Sequence, residues 1–354
     1  MYQRLFTATT VACIPALLAL SSPREEIRFA ATEGLTLKKS FESTGELTIE
    51  SSEVLLNGNP FPAAPEIEME ASNSSLIEVV DTYVTVDDRG TLRLARRFET
   101  IADESEVLTS NPMTGEVTVA SKGASELEGQ TVVFAWNPDA GDYDCEYEQG
   151  SEGDEALLVD LVQDMDLLGF LPLGDPAVGD TWNIDPEALR HILLPGGDLK
   201  LVSESDVGGM IGSVADEPGM SMSDLLGELS GEVTAQLTSV RSEDRVAVIT
   251  VQLEIDSTND LTEQTRAALE DMPPVPGMGS MELESVDVEM AMDGEGLLLW
   301  SLDAGHFVEF SLDAEILSTT DMAMSIEGPE QRVSMQQAMT MAISRSFNYS
   351  AEAY

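Results

Sequence analysis

Apolar and polar residues alternate with a period of two along much of the chain, most regularly in its C-terminal part. In residues 286–292 every even position is apolar, and acidic residues or alanine stand between them. Successive side chains of a strand point to opposite faces, so this pattern predicts strands with one apolar and one solvated face, as in antiparallel sheets. The C-terminal strands are predicted at 249–255, 286–292, 308–316, 322–326 and 339–349.

The N-terminal part alternates less regularly, between sequences that are typical of turns. Asn57-Gly58-Asn59-Pro60 is one such sequence, and residues 87–90 and 111–115 supply two more. They separate predicted strands at 35–41, 45–56, 76–86, 92–101, 126–136 and 143–148.

Short helices are predicted where a capping residue precedes apolar residues at helical spacing. One of them carries a capping box, and another has proline in its first turn and ends at Pro195-Gly196-Gly197. The predicted helices span 154–168, 186–194 and 261–269, and their capping residues are Ser151 with Asp154, Asp185, and Asp260.

These elements predict a mainly β (α+β) fold. We expect antiparallel curved sheets, or domains like a barrel or a sandwich, with two or three short helices. A stretch rich in Gly, Ser, Met and Asp indicates a linker between two domains. The predicted organisation is a signal peptide at 1–21, an N-terminal antiparallel β domain with two helices at 22–202, a linker at 203–230, and a C-terminal antiparallel β domain at 231–354.

Two short segments repeat one sequence pattern. Trp136–Tyr143 and Trp300–Phe307 both read as a strand, an Asp-Ala-Gly turn and a second strand. Either the two halves arose by duplication, or two independent hairpins use the same favourable turn.

The first residues indicate export. A single charge, Arg4, precedes an apolar run that ends in small residues, with cleavage expected before Ser22. The run is too short for a membrane-spanning helix, so we expect no transmembrane segment after signal cleavage. Cys13 lies in a sequence loosely like a lipobox, which leaves a lipoprotein as the alternative. The expected location is extracytoplasmic: periplasmic, cell-surface or secreted.

The charge of the chain excludes some partners. Removing residues 1–21 removes one arginine and no acid, so the mature chain carries 66 acidic and 16 basic residues, a net charge of −50. Such a field repels phosphate backbones, so nucleic acid is not an expected partner. It attracts cations and basic partners, and it also keeps an exported protein soluble.

No motif predicts catalysis, and we expect no enzyme and no cofactor. His191 and His306 are the only histidines, and neither lies in a triad or zinc motif. Cys145 is alone once Cys13 is removed, and its alternation with tyrosines predicts a buried strand position. Acids are dense over 142–155 but lack EF-hand spacing, so weak association with Ca²⁺ is the most that they predict.

Methionine is frequent, and many methionines share the apolar parity of the predicted strands. The interpretations are gap-filling core residues, a soft-metal site, or an adaptable face for an apolar ligand or peptide. If the C-terminal sheet does not close or dock, the residues expected to line an apolar cavity are Met290, Met292, Met322, Met324, Met339 and Met341.

The chain resembles a loose group of uncharacterised exported bacterial proteins with Glu-rich and Met-rich alternating strands. The resemblance rests on Val178-Gly-Asp-Thr-Trp182 and on the Gly294–Trp300 strand. It implies no activity; a fold-level analogy to lipoprotein carriers adds only a curved sheet that holds an acyl chain. The expected function is a non-enzymatic binding or carrier module for an apolar ligand or protein partner. The alternative is a structural or surface-assembly protein whose acidic faces meet cations or a basic partner.

Overall fold

Fourteen strands form one antiparallel sheet in the computed structural model, which describes residues 23–61, 68–87, 90–111, 115–151, 153–205, 226–271, 280–327 and 332–354. The mainly β prediction is confirmed in its open form, a curved sheet that does not close. The strands are β1 Thr36–Leu56, β2 Asn59–Pro60, β3 Glu68–Asp87, β4 Gly90–Asn111, β5 Gly115–Ala124, β6 Thr131–Asn137, β7 Asp142–Tyr147, β8 Thr181–Ile184, β9 Val202–Ser205, β10 Glu228–Arg241, β11 Val246–Asp260, β12 Ser280–Ser301, β13 His306–Glu327 and β14 Arg332–Ala353.

The first and last long strands are neighbours in the middle of the sheet. The order is β7-β6-β4-β3-β1-β14-β13-β12-β11-β10-β8, with β2 beside β1 and β5 between β4 and β9. Residues of the two predicted domains therefore share one sheet. The predicted linker 203–230 lies largely outside the described residues. Of its described residues, 203–205 belong to β9 and 228–230 to β10. The predicted signal 1–21 also lies outside them.

Six strands are 20 to 22 residues long. At about 3.3 Å per residue each spans about 70 Å. We call the end where β1 and β4 begin and β14 ends the proximal end, and the opposite end the distal end. The inner face is the one that carries the buried side chains, and the outer face is the other. The predicted strands 35–41 and 45–56 are one strand, β1, because alternation continues through Gly45.

The main core fills the proximal half of the inner face. The rings of Phe41 and Phe310 lie 4.8 Å and 5.7 Å from the ring of Tyr349. Residues 153–201, which we call the cover segment, pack against these side chains. Buried residues that the cover segment contributes are Met165, Leu167, Phe170, Ile184, Ala188, Leu189, Ile192 and Leu199.

The cover segment is mostly irregular, so the predicted helix 154–168 is wrong. One 3-10 turn, Glu155–Leu158, follows the cap Asp154, and a second covers Leu168–Phe170. The backbone turns to positive φ at Asp160 and Leu167, which ends any helix. Carbonyls of this stretch face the sheet and accept hydrogen bonds there, and an α-helix would keep them for itself.

The other two predicted helices are present. Asp185 caps a 3-10 turn, Pro186–Leu189, which continues as α1, Arg190–Leu193. Helix α2, Thr262–Asp271, begins where the Asp260 carboxylate accepts from the Thr262 amide at 2.9 Å. Within the described residues no helix combines the length and apolarity needed to cross a membrane.

Both Asp-Ala-Gly segments form hairpins, as predicted. Trp136 pairs with Tyr143 across β6 and β7, and Trp300 pairs with Phe307 across β12 and β13. The turn glycines, Gly141 and Gly305, have φ of 73° and 68°. The environments differ, because a Cβ on Gly305 would lie 2.4 Å from the Ala30 Cβ, whereas a Cβ on Gly141 would meet nothing within 4 Å.

We expect Gly305→Ala to destabilise the protein more than Gly141→Ala. Both changes place a side chain at positive φ, which costs about 1 kcal/mol, and the first also displaces the segment around Ala30. Urea unfolding followed by circular dichroism would compare the two free energies of unfolding. Equal losses would show that the 23–35 segment does not pack on this turn.

Candidate functional site

The six methionines singled out from the sequence all lie on the inner face, on three neighbouring strands. Met290 and Met341 both pair with Ser318 of β13, from opposite sides, which places them in one row across the sheet. Shared parity along β12, β13 and β14 therefore brings the predicted residues together on one face.

Their burial divides them into three groups. Met292 is 1 % exposed and belongs to the main core, with Met290 at its margin. Met322 and Met324 pack in a small second cluster beside Leu261, Leu283 and Val286, next to α2. Met339 and Met341 are half-buried and lie in neither cluster.

We call the inner-facing residues of 47–49, 286–290, 318–324 and 335–343 the distal inner face. This face continues the apolar surface of the sheet beyond the main core. The cover segment packs against the main core, whereas α2 packs against only one corner of the distal inner face. Most of its apolar side chains are half-buried. Those near its middle are Leu47, Ile49, Val288, Met290, Met339, Met341 and Ile343.

The cavities seen in the structure lie mainly on the other side of the sheet. A groove of about 900 Å³ crosses β14, β1, β3, β4 and β5 on the outer face. A smaller groove of about 320 Å³ holds Met322 beside Asp321 and Gln337. Neither of these two grooves is lined mainly by the six methionines, so the conditional prediction that they line an apolar cavity stays a prediction.

The larger groove is polar. Lys122 lies in it and its ammonium is 2.5 Å from the Glu104 carboxylate. Apart from Gly45, Asn73 and Ala120, the other residues that line it carry hydroxyls or carboxylates. The outward-facing ones are Thr44, Glu46, Ser72, Ser74, Glu106, Ser344 and Ser346.

A buried ionic cluster joins the cover segment to the sheet. Lys39, Asp81 and Arg96 are fully buried on the neighbouring strands β1, β3 and β4, and Asp166 of the cover segment is 1 % exposed. The Lys39 ammonium lies 2.8 Å from Asp81 and 2.6 Å from Asp166. The Tyr83 hydroxyl donates to Asp166 at 2.7 Å. Two cations and two carboxylates therefore neutralise one another inside the core.

Arg96 connects this cluster to the cover segment's backbone. Its guanidinium donates to both Asp81 oxygens, at 2.8 and 2.9 Å. It also donates to the carbonyls of Val162 and Gln163, at 2.9 and 2.8 Å, and lies over the Phe134 ring. Four of its donors are thereby used, so the irregular path of the cover segment matches the geometry of one guanidinium.

The cluster moves the pKa of two carboxyl groups, one inside it and one beside it, in opposite directions. Burial alone would raise the pKa of Asp81, but Arg96 and Lys39 outweigh it and lower that pKa to about 2. Asp164, beside the cluster, has a raised pKa because of burial and the negative charge of Asp166. Asp81 is therefore held as a carboxylate, whereas burial and the nearby negative charge make ionisation of Asp164 unfavourable.

Sequence analysis missed this cluster, although the strand pattern contains its signal. A charged residue stands at an inner position, between two apolar residues of the same parity, on each of three strands. The triplets are Leu37-Lys39-Phe41, Val79-Asp81-Tyr83 and Leu94-Arg96-Phe98.

The two histidines and the free cysteine lie in three different elements, α1, β13 and β7. His306 is buried and its Nδ1 hydrogen-bonds the Phe307 carbonyl, and His191 lies in α1. Cys145 is half-buried in β7, and burial raises the pKa of its thiol to about 11. Among the described residues no three His, Cys, Asp or Glu side chains are arranged to hold a metal ion. Weak Ca²⁺ association stays a prediction.

No protein-family model and no curated protein matches the chain. Among solved structures, the outer membrane protein OprG from Pseudomonas aeruginosa is 9 % identical, with 89 % of this chain and 97 % of that chain covered, at a TM-score of 0.22. OccK7 (OpdD) from the same organism is 7 % identical, with 89 % and 98 % covered, at a TM-score of 0.17. Likeness at such TM-scores supports no inference about fold or function.

At pH 7 we expect Asp81→Asn to lower the free energy of unfolding by roughly 3–5 kcal/mol, because it leaves two buried cations with one carboxylate. Asp164→Asn should be neutral or stabilising, because it removes a carboxylate whose ionisation burial opposes. Urea unfolding would measure both free energies of unfolding. The control is Glu146→Gln, which removes the carboxylate of the exposed Arg93–Glu146 ion pair.

The pH dependence gives a second readout of Asp81. Its folded pKa lies below the unfolded value of 3.8, so its stabilisation is present above about pH 4 and is lost as pH falls towards 2. The deficit of Asp81→Asn should shrink over that range. A deficit at pH 7 no larger than that of the control would contradict the role assigned to the cluster.

Proposed function

We propose that this protein is an extracytoplasmic, non-enzymatic binding protein that holds an apolar ligand against its distal inner face. The single observation that supports this is the continuity of that face with the core. The same strands, with the same parity, carry fully buried side chains in their proximal half and mostly half-buried ones in their distal half. Contiguous exposed apolar surface in soluble proteins commonly marks an interaction site.

Flexible side chains suit this face to a chain-like ligand. Methionine is unbranched and polarisable, so it adapts to irregular apolar shapes. Full burial of a methylene is worth about 0.8 kcal/mol, and a chain lying on a face gains about half of that. A chain of about twelve carbons then gains about 5 kcal/mol before the cost of association. Apolar contact alone therefore predicts weak binding.

The proposed location rests on the N-terminal sequence. The charged start, the short apolar run and the small-residue exit before Ser22 are the features of an export signal.

We expect the neutral apolar dye N-phenyl-1-naphthylamine to bind the wild-type protein and to lose binding in Met339→Asp/Met341→Asp. The paired Asp residues would stand on a half-exposed face, so the fold should survive while apolar contact is lost. Dye fluorescence and circular dichroism measure the two effects.

Met292→Asp is the matched contrast. It places a charge in the filled core, where it has no partner, and should unfold the protein. The proposal fails if the wild type does not bind the dye, or if the folded double variant binds it equally well.

A second candidate function uses the outer face. The larger groove lies across five strands, is rich in hydroxyls and carboxylates, and fits a linear cationic ligand or a basic partner segment. Glu46 and Glu106 lie in it without an ion pair among the described residues.

Under this candidate, spermine should bind at low salt and bind at least several-fold more weakly to Glu46→Gln/Glu106→Gln, as measured by calorimetry. Glu254→Gln/Glu309→Gln is the control, since these acids lie exposed on other strands. Equal weakening by both pairs would show that only the diffuse charge of the protein attracts spermine.

A further inference from the structure

Arg345 of β14 has no carboxylate in ion-pair contact in a strongly acidic chain, although the negative charge of Asp103 on β4 acts on it from a greater distance. Within the described residues, it and Arg24 are the two basic side chains with no carboxylate within 4.0 Å. Arg24 is exposed and donates to the Asp175 carbonyl. Arg345 is half-buried on the inner face and its Nε is fully buried, so a charge without a contacting counter-ion is costly there.

Few of the donors of Arg345 are used. Its Nη2 donates to the Ser43 hydroxyl at 3.3 Å, and its buried Nε has no hydrogen-bond partner. The guanidinium lies 5.3 Å from the Phe347 ring centre. A guanidinium offers five N–H donors, so most of those of Arg345 have no hydrogen-bond partner among the described residues.

Small neighbours leave room at this position. Across the sheet Arg345 pairs with Gly45 on one side and Ala314 on the other. The Asn73 amide lies over Gly45, where its oxygen is 2.5 Å from the position a Cβ would occupy. Ser43, Asn73 and Arg345 therefore form part of a polar patch on the inner face, together with Ser75, which hydrogen-bonds Ser43 at 2.9 Å.

The patch lies at the boundary between the filled core and the distal inner face. On its proximal side Phe347 belongs to the core. On its distal side Ile343, Met341 and Met339 follow along the same strand and the same face, at about 7, 13 and 20 Å at the strand rise. A polar anchor thus stands at one end of an apolar track as long as an alkyl chain of about twelve to sixteen carbons.

We propose that Arg345 receives the anionic head of a single-chain amphiphile, with Ser43 and Asn73 as neutral partners, and that the alkyl tail lies along the distal inner face. This rests on the proposed function and names the ligand class. A carboxylate accepts two parallel hydrogen bonds from a guanidinium, which gives a strong charge-assisted contact. Such a contact supplies the affinity that apolar contact on an open face lacks.

The ligand class follows from charge. A cationic head would meet Arg345 and lose binding, and a neutral head would leave the guanidinium unpaired. A hydrogen bond to a charged group is worth about 1.5–3 kcal/mol, so an anionic head should bind about tenfold or more tightly than a neutral head on the same chain.

The test is competition against N-phenyl-1-naphthylamine by three twelve-carbon probes: dodecanoate, dodecanol and dodecyltrimethylammonium. Monomeric concentrations and 0.15 M salt limit micelles and screen the overall negative charge of the protein. The expected order of affinity is dodecanoate, then dodecanol, then dodecyltrimethylammonium. Arg345→Met should remove the preference for dodecanoate over dodecanol while leaving dodecanol affinity within about twofold.

Two further variants separate binding from structure. Arg345→Lys keeps the charge and should retain part of the preference, and Arg241→Met, which removes an exposed cation of the β10–β11 turn, should retain all of it. The melting temperature is a second readout, because removing a buried unpaired charge should leave it unchanged or raise it. A guanidinium that serves only the fold would lower it when lost.

Each outcome decides one point. Absence of dye binding to the wild type refutes the proposed function. Dye binding without a preference for dodecanoate, or a preference that survives in Arg345→Met, refutes the role of Arg345 alone. Loss of the preference in Arg345→Met with an unchanged or higher melting temperature supports it.

Discussion

A strand that is apolar on one side is stabilised when other residues cover that side along its whole length. In this protein the segment 153–201 covers only part of the apolar face of the long strands. Six strands run about 70 Å, and the segment 153–201 packs against their proximal half. There the side chains form a filled aromatic core. Helix α2 shields one corner of the distal half. The half-exposed distal inner face follows directly from this shortage of cover.

The cover segment needs specific attachment because it has little regular structure of its own. Apolar packing fixes its position only loosely, whereas a buried ionic cluster fixes it in detail. Arg96 holds two successive carbonyls of the segment, and Asp166 enters between Lys39 and Tyr83. Burying four charges adds little net stability, since desolvation offsets the attraction between them. Its contribution is to exclude other placements of the segment, because any other placement would leave charges buried and unpaired.

The sequence pattern predicted correctly those elements that are determined by residues close together in the chain. Period-two alternation located the long strands, and capping residues located α2 and the turn after Asp185. The helical spacing over 154–168 gave a wrong prediction, because carbonyls of this stretch accept hydrogen bonds from Arg96, which lies on a strand distant in sequence. The pairing of β1 with β14 joins residues about 280 to 316 positions apart. The shared core of both predicted domains also depends on contacts between residues distant in sequence, which no local rule contains. The charged inner positions Lys39, Asp81 and Arg96 were visible in the strand parity, but their mutual pairing required the register.

The central claim is that cover ends midway along the inner face. Methionine oxidation by hydrogen peroxide, followed residue by residue with peptide mass spectrometry, measures this directly, because its rate depends on access to each sulfur. Met165 and Met292, both 1 % exposed, should stay reduced in the folded protein, while Met339 and Met341 should oxidise early. Protection of Met339 and Met341 equal to that of Met292 would contradict the account, since it would show that the distal inner face is covered.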